Sequence, residues 1–435
     1  MNDLLAARSL MALSLAFHIL FACVGIAMPL LMVLAEWRWL RTRDPLWLEL
    51  CKRWSKGTAI LFAIGAVSGT VLSFQLGLLW PGFMAKAGPV IGLPFALEGF
   101  AFFLEAICLG LYLYGWKRLG PRTHLLAGIG VLLAGAASGV FVVAANGWMN
   151  QPTGFRLEDG RFVDIDPVAA MCNVMWLPQA THMLLAAFVA VGFGAAGVHA
   201  LLLLRQPNDL LHRRALAVAL WVGGVAAVLV PLSGDLLAQR VAATQPVKLA
   251  AMEGLFQSAA PAPLSIGGWP DQEAAVTRYA IELPGMLSFL AFGDFGARVQ
   301  GLEEFPRELW PPVAITHVAF QVMVAIGSLL VLVAAIAAWR AWRRRSAPTP
   351  RWFLRLLVAC APLGFVAVEA GWVVTEVGRQ PWIVQGVMRT ADAVTPVGPL
   401  VVPLFGFAAL YLVLFAVVWR LLRRHVFSSM ERDHV

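Results

Sequence analysis

A few histidine, methionine and carboxylate side chains stand inside stretches that are otherwise almost wholly apolar. His18 lies between Phe17 and Ile19, and His182 follows Trp176, Leu177 and Pro178. Neutral imidazole suits iron and also serves as a bonded group inside a helix bundle. Each histidine therefore reads either as an axial metal or haem ligand or as a core residue, and His317 and His199 stand in similar apolar runs. Met323, one of fourteen methionines, is core filler unless a histidine on another helix faces it. His/Met ligation would make a haem an electron-transfer centre. Glu98 and Glu105 are seven residues apart, nearly two helical turns and about 10 Å along an axis. Both point the same way, as two stations of a proton relay or as two structural hydrogen-bonding acids. Glu369 and Glu376 repeat that spacing. Glu376 is followed closely by Arg379; a carboxylate beside an arginine stays ionised and can ligate iron weakly or balance a cofactor's charge.

The scaffold for these groups is legible in the composition. Of 435 residues, 60% are hydrophobic and only 13% charged, with a mean hydropathy of +0.76. Soluble domains carry roughly a quarter charged residues, so disorder, a fibrous protein and a soluble enzyme are excluded. An all-α polytopic membrane domain over 1–435 remains. Nine apolar spans are predicted at 10–36, 57–80, 93–116, 125–148, 178–204, 215–239, 312–339, 353–376 and 398–419. The first is too long for a cleavable signal. Of the 33 Lys and Arg residues, 22 fall in one set of loops and 11 in the other. The positive-inside rule then puts the N-terminus outside, in the periplasm, and the C-terminus in the cytoplasm. The net charge of +8 is topology, and no nucleic-acid partner is expected. His124, His212, His425 and His434 fall in the basic loops and read as solvated.

Two outer segments, 149–177 and 240–311, are longer than ordinary connections, and the second is too aromatic for a tether; it reads as a folded lid. The five cysteines are odd in number, without a C-x-x-C pair, so neither a disulfide framework nor a zinc site is expected. The absence of C-x-x-C-H makes any haem non-covalent, and no phosphate-binding loop supports nucleotide-driven transport.

Seven strings, in order, resemble subunit I of cytochrome bd-type quinol oxidases: SFQLGLLWP at 73–81, LEGFAFFLEA at 97–106, ANGWMNQPTGF at 145–155, THM at 181–183, QPVKLAAMEG at 245–254, FQVMVAIG at 320–327 and GWVVTEVGRQPW at 371–382. The resemblance covers nearly the whole chain. It implies a terminal respiratory oxidase of the bacterial inner membrane that oxidises ubiquinol or menaquinol at the outer face and reduces dioxygen to water. It implies two b haems, one low-spin and one high-spin, and a third haem, d or a further b. His182 and Met323 would ligate the low-spin haem; His18 would ligate one active-site haem and Glu376 the other. Glu98 and Glu105 match the acidic pair associated with protons, Lys248 and Glu253 match the quinol-oxidation loop at 240–311, and Trp372 and Arg379 would lie against the haems. Protons taken from the cytoplasm while quinol releases protons outside make the reaction electrogenic without pumping. Implied partners are oxidase subunit II, a small single-span subunit and membrane lipid.

Gln321 stands where some members carry an arginine beside the low-spin haem, and FQVMV resembles a cyanide-insensitive branch, which leaves the third haem open between d and b. Two rival functions are a membrane cytochrome b relaying electrons and a proton-coupled transporter. The first predicts paired histidine ligands and no oxygen consumption; the second predicts inverted repeats and broken helices, and neither is visible.

Overall fold

The computed structural model describes residues 2–344 and 349–424. Four long helices come first: α1 (Asp3–Thr42), α2 (Pro45–Leu79), α3 (Pro81–Tyr114) and α4 (Pro121–Asn150). A short hairpin of β1 (Arg156–Glu158) and β2 (Arg161–Val163) and the small α5 (Pro167–Met171) lead to α6 (Trp176–Arg205) and α7 (Leu210–Thr244). The next segment holds α8 (Pro246–Glu253), strands β3 (Leu264–Ile266), β4 (Trp269–Asp271), β5 (Val276–Arg278) and β6 (Ile281–Leu283), and α9 (Met286–Phe292). Helices α10 (Val313–Arg344), α11 (Arg351–Cys360) and α12 (Leu363–Val377) follow, then strands β7 (Trp382–Val384) and β8 (Met388–Arg389) and finally α13 (Val401–Leu422).

Among the described residues, nine helical stretches are long and apolar enough to cross a membrane. Local signals set their ends. Asp44 caps α2 by accepting from the Leu46 N–H at 3.0 Å, and Asp209 caps α7 by accepting from His212 at 2.9 Å. Proline opens α2, α3, α4 and α8, where its missing N–H costs nothing. The eighth span, 353–376 in sequence, is two helices rather than one, broken at Ala361-Pro362 between α11 and α12. Pro362 cannot donate into the preceding turn; hydropathy runs straight through the break.

Helices α1–α4 form one bundle, and α6, α7, α10, α11 and α12 form a second. The two join where α1 and α4 pack on α6, and α13 lies outside against α1 and α2. Close approach of α6 and α7 depends on glycine: a Cβ at Gly192 would stand 2.5 Å from the Gly223 Cα. Outward faces stay apolar, with Phe100, Phe103, Phe405 and Phe415 exposed. That pattern suits lipid, where water does not drive side chains inward.

The long segment after α7 folds over one end of the bundles, here termed the loop face. Helix α7 continues to Thr244, so the segment begins five residues later than 240. Strand β4 pairs with β5 inside the β3–β6 pair, both antiparallel. Met252, Ala262, Leu287 and Val299 of this segment pack with Val241 of α7 and Val374 of α12. Ser288 fastens it, accepting from the Ala262 N–H at 2.7 Å and donating to Ala297 at 2.6 Å.

At the opposite face the expectation of solvated histidines fails. His124 is buried because the first turn of α4 folds back onto the end of α1; its Nδ1 lies 2.8 Å from Glu36 Oε1 and its Nε2 2.9 Å from the Tyr112 carbonyl. His212 is buried against His199, the two Nδ1 atoms 3.2 Å apart. His425 and His434 lie outside the described residues. Cys23, Cys51 and Cys360 are buried, whereas Cys172 is exposed.

Candidate active site

The histidines of the chain divide by how their ring nitrogens are used. His18 on α1 places Nδ1 3.0 Å from Ser68 Oγ on α2, and that hydroxyl donates back to the Ile64 or Gly65 carbonyl at 2.9 and 3.1 Å. His182 on α6 repeats the arrangement: Nδ1 lies 3.0 Å from Ser233 Oγ on α7, which donates to Val230 at 2.9 Å. The serine proton is spent on its own helix, so the hydroxyl accepts from Nδ1–H and Nε2 keeps its lone pair. No hydrogen bond engages Nε2 of either ring among the described residues. By contrast, both nitrogens of His124, His199 and His317 are engaged. A histidine that ligates haem iron needs the first arrangement.

Glycine follows each of these serines and leaves room for the ring. A Cβ at Gly69 would stand 2.9 Å from His18 Cε1, and one at Gly234 would stand 3.3 Å from His182 Cε1. Met323 on α10 points its sulfur at α12, where a Cβ at Gly371 would stand 3.1 Å from it. Helices α6 and α10 each pack on α7 and α12 and not extensively on one another. A flat group ligated by His182 and Met323 suits two helices that are separated in this way. The Ser-Gly pairs at 68–69 and 233–234 were missed in the sequence, where the repeated dipeptide opposite a histidine was the available signal.

The acids occupy a different setting. Glu98 and Glu105 both face α4: Ser138 donates to Glu98 Oε1 at 3.1 Å, and a Cβ at Gly135 would stand 3.0 Å from Glu105 Oε1. Glu105 is buried and its Oε1 lacks a partner. Just past the end of α12, Arg379 donates to Glu376 Oε2 of that helix at 2.6 Å. Arg379 is buried, and its Nε and Nη1 have no partner. Glu369, two turns before Glu376, also has a buried unpartnered oxygen. Trp372 packs on the same seam with Ile19 and Cys23 of α1 and Val191 of α6.

A polar chain ties this cluster to α8. Lys248 Nζ donates to Asn150, whose Nδ2 donates to Asn146 Oδ1 at 3.1 Å; Asn146 in turn donates to Glu376. Gln179 joins the chain, donating to Asn146 Oδ1 at 3.0 Å. Lys248 faces a narrow cleft with Arg379, Gln380, Trp382 and Gln385. Burial, with the repulsion of Arg379 beside it, pulls the Lys248 ammonium down to about 7 against the attraction of Glu376. Glu253, at the other end of α8, is buried with Oε2 unpartnered, and burial pushes its carboxyl up to about 8. The structure thus brings Lys248, Glu376 and Arg379 together and leaves Glu253 outside that chain. Gln321 is turned to the loop face, bonded to loop backbone at Ser265 and Gly267.

Buried carboxylates, two histidines with a bare Nε2 and an apolar surround fit non-covalent haem. Among the described residues no three His, Cys, Asp or Glu side chains cluster as a metal-ion site. The family model for cytochrome bd terminal oxidase subunit I matches residues 6–429. The chain is 33% identical over 448 residues to a cytochrome bd ubiquinol oxidase subunit 1 of Bacillus subtilis (strain 168), covering 100% of this chain and 96% of that protein. It is 29% identical over 451 residues to the cytochrome bd-II ubiquinol oxidase subunit 1 of Escherichia coli (strain K12), covering 88% of each. The solved structure of the bd oxidase from Geobacillus thermodenitrificans superposes with a TM-score of 0.91 at 39% identity, covering 98% of this chain and 100% of that one.

Proposed function

The chain belongs to the cytochrome bd terminal oxidase subunit I family, and on that premise we propose which side chains do its work. It is a haem-bearing, multi-pass membrane subunit of a terminal quinol oxidase, with subunit II as partner and quinol and dioxygen as substrates. His182 and Met323 would hold the low-spin b haem. His18 would hold one active-site haem and Glu376 another, one high-spin b and the other d or a further b. Trp372 and Arg379 lie against that pair. When bound, a haem with two protein ligands passes electrons, and one with a single protein ligand keeps a face for dioxygen. The matched His–Ser–carbonyl relays at His18 and His182 carry this assignment.

The segment 245–311 forms the periplasmic quinol loop, with the N-terminus outside, the C-terminus in the cytoplasm and the whole in the bacterial inner membrane. Glu253 is protonated at neutral pH and offers a hydrogen bond to a quinol oxygen. Lys248, poised near neutrality, holds or releases a proton at Nζ and passes the effect along Asn150 and Asn146. Glu98 and Glu105 bring protons from the cytoplasmic side, the buried and unpartnered Oε1 of Glu105 being placed to hold one. Release outside and uptake inside make turnover electrogenic without pumping. A small single-span subunit completes the complex, and ubiquinol or menaquinol is the donor. The test is a dithionite-reduced minus oxidised spectrum with haem extraction on the purified complex, alongside quinol-driven oxygen uptake. Bands of b haem plus a far-red chlorin are expected for a d-type oxygen site, and b haem alone for the cyanide-insensitive branch. A folded sample without haem would overturn the assignment.

A further inference from the structure

One histidine of the buried set has no place in haem ligation or in the acid relay. His317, on the first turns of α10, is fully buried, and both of its ring nitrogens face loop carbonyls, which an imidazolium bonds together and a neutral ring bonds one at a time. Its Nδ1 lies 2.8 Å from the Met252 carbonyl, and its Nε2 lies 3.0 Å from the Gly267 carbonyl. The Met252 carbonyl belongs to the last turn of α8, where helix carbonyls have no partner of their own, and it is the residue before Glu253. One turn along α10, Gln321 accepts from the Gly267 N–H at 3.0 Å and donates to the Ser265 carbonyl at 2.9 Å. Two side chains of one helix thus hold the end of α8 and the start of the β3–β4 turn, including both polar groups of Gly267.

The held backbone is also closely packed. Gly254 closes α8 with φ +64°, and Gly267 has φ +66°. A Cβ at Gly254 would stand 2.6 Å from Thr277 Oγ1 and 3.2 Å from His317 Nδ1. Thr277 itself donates to the Gly254 carbonyl at 2.6 Å. Helix α10 also carries Met323, two residues beyond Gln321. We propose that His317 and Gln321 are positioning residues for quinol oxidation: they clamp the loop from Met252 to Gly267 onto α10 and so fix Glu253 relative to the low-spin haem ligand Met323. The proposal rests on the reading of Lys248 and Glu253 as the quinol-oxidation site.

The test compares Gln321→Leu, which keeps side-chain volume and removes both of that residue's bonds, with Lys248→Ala in the purified complex. His317→Phe is the second clamp variant should either fail to assemble. Oxygen uptake is driven by a short-chain ubiquinol and, separately, by a soluble phenylenediamine that bypasses the loop. Gln321→Leu is expected to raise KM for the quinol about tenfold. The phenylenediamine rate and the low-spin b band should stay unchanged, while amide exchange over 255–268 speeds up. An unchanged quinol KM in haem-loaded protein overturns the clamp, even if exchange is faster. Equal loss with both donors, with an altered b band, places Gln321 with the haem and overturns it too. Lys248→Ala tells the two failures apart. If it impairs quinol oxidation while Gln321→Leu does not, only the clamp fails. If it leaves quinol oxidation intact, the loop reading fails and takes the clamp with it.

Discussion

His18 and His182 sit in different helix bundles yet in the same local device. Each donates Nδ1–H to a serine on the next helix, the serine hands its own proton to a backbone carbonyl, and a glycine beside it makes room for the ring. What surrounds them differs. Across α7 and α12 from His182, helix α10 carries Met323, a neutral thioether that on the proposed reading would close a haem. In the bundle of His18 stand Glu98 and Glu105, on the α3–α4 side; Glu369 and Glu376 stand on α12 with the buried Arg379 just past its end, and α12 meets α1 where Trp372 packs with Ile19 and Cys23. On the proposed reading, one way of preparing a histidine would serve two kinds of centre, set by the residues across from it. A closed centre relays electrons, and an open one needs protons at hand.

Removing ligands breaks that comparison most severely. His182→Ala and Met323→Leu should each abolish the low-spin b signal in a folded complex, and His18→Ala should remove an active-site haem while leaving the low-spin band. Haem extraction with reduced-minus-oxidised spectra reads both. A retained low-spin band in both His182→Ala and Met323→Leu would end the assignment of the closed centre. Next in size are the acids. Glu105→Gln keeps shape and removes the exchangeable carboxylate, so oxygen reduction should fall by about a hundredfold or more, the scale of lost general acid–base function. The low-spin band should be untouched. Glu98→Gln, whose carboxylate already accepts from Ser138, should cost less. Full turnover in Glu105→Gln would make the pair structural.

The serine relays test whether the device is shared. Ser68→Ala and Ser233→Ala each leave a histidine with its Nδ1–H lacking the serine acceptor. Outer-shell losses of this kind typically weaken a metal site about 10- to 100-fold. Haem retention during dilution in detergent should drop in both, at the His18 centre for one and the His182 centre for the other. An effect at His182 alone would mean that the two sites resemble each other only in geometry.

Much of this was legible in the sequence, for a physical reason. A titratable side chain in an apolar span is costly, so His18, His182, Glu98, Glu105 and Glu376 stand out against their surroundings. The nine spans were legible on the same ground. Ser68-Gly69 and Ser233-Gly234 were not, because serine and glycine are ordinary at membrane helix contacts. The sequence set His124 apart from His18 as a solvated loop residue, and that is not how the two differ. Only the fold shows that the His124 ring is spent on Glu36 and Tyr112, while one edge of His18 is free. Pro362 was visible but was read through, since apolar character persists on both sides of the α11–α12 break. The bond from Lys248 to Asn150 spans 98 residues, and the turn of Gln321 toward the loop runs against its analogy with a haem-side arginine.

The smallest expected effect concerns α8, which leans on both places at once: Lys248 is tied through Asn150 and Asn146 to Glu376, and Glu253 follows the carbonyl held by α10. The two buried groups should give stability opposite slopes with pH. Glu253 has a folded pKa of about 8 against 4.5 unfolded, so the folded state holds its proton longer and stability falls as pH rises from 4.5 to 8. Lys248 has a folded pKa of about 7 against 10.5 unfolded. Here the unfolded state binds more protons, so stability rises with pH from 7 to 10.5. Below pH 7 only Glu253 contributes; between 7 and 8 the two oppose. Glu253→Gln should therefore flatten the thermal midpoint between pH 5 and 7, relative to the unmodified protein, and Lys248→Met should flatten it between 8 and 10. Differential scanning of the detergent-solubilised complex across that range measures both. If Glu253→Gln kept the acid-side slope, the carboxyl would be ionised in the fold. It could then not offer its proton to a quinol oxygen at neutral pH, and the division of α8 between a proton-holding end and a cationic end would fall.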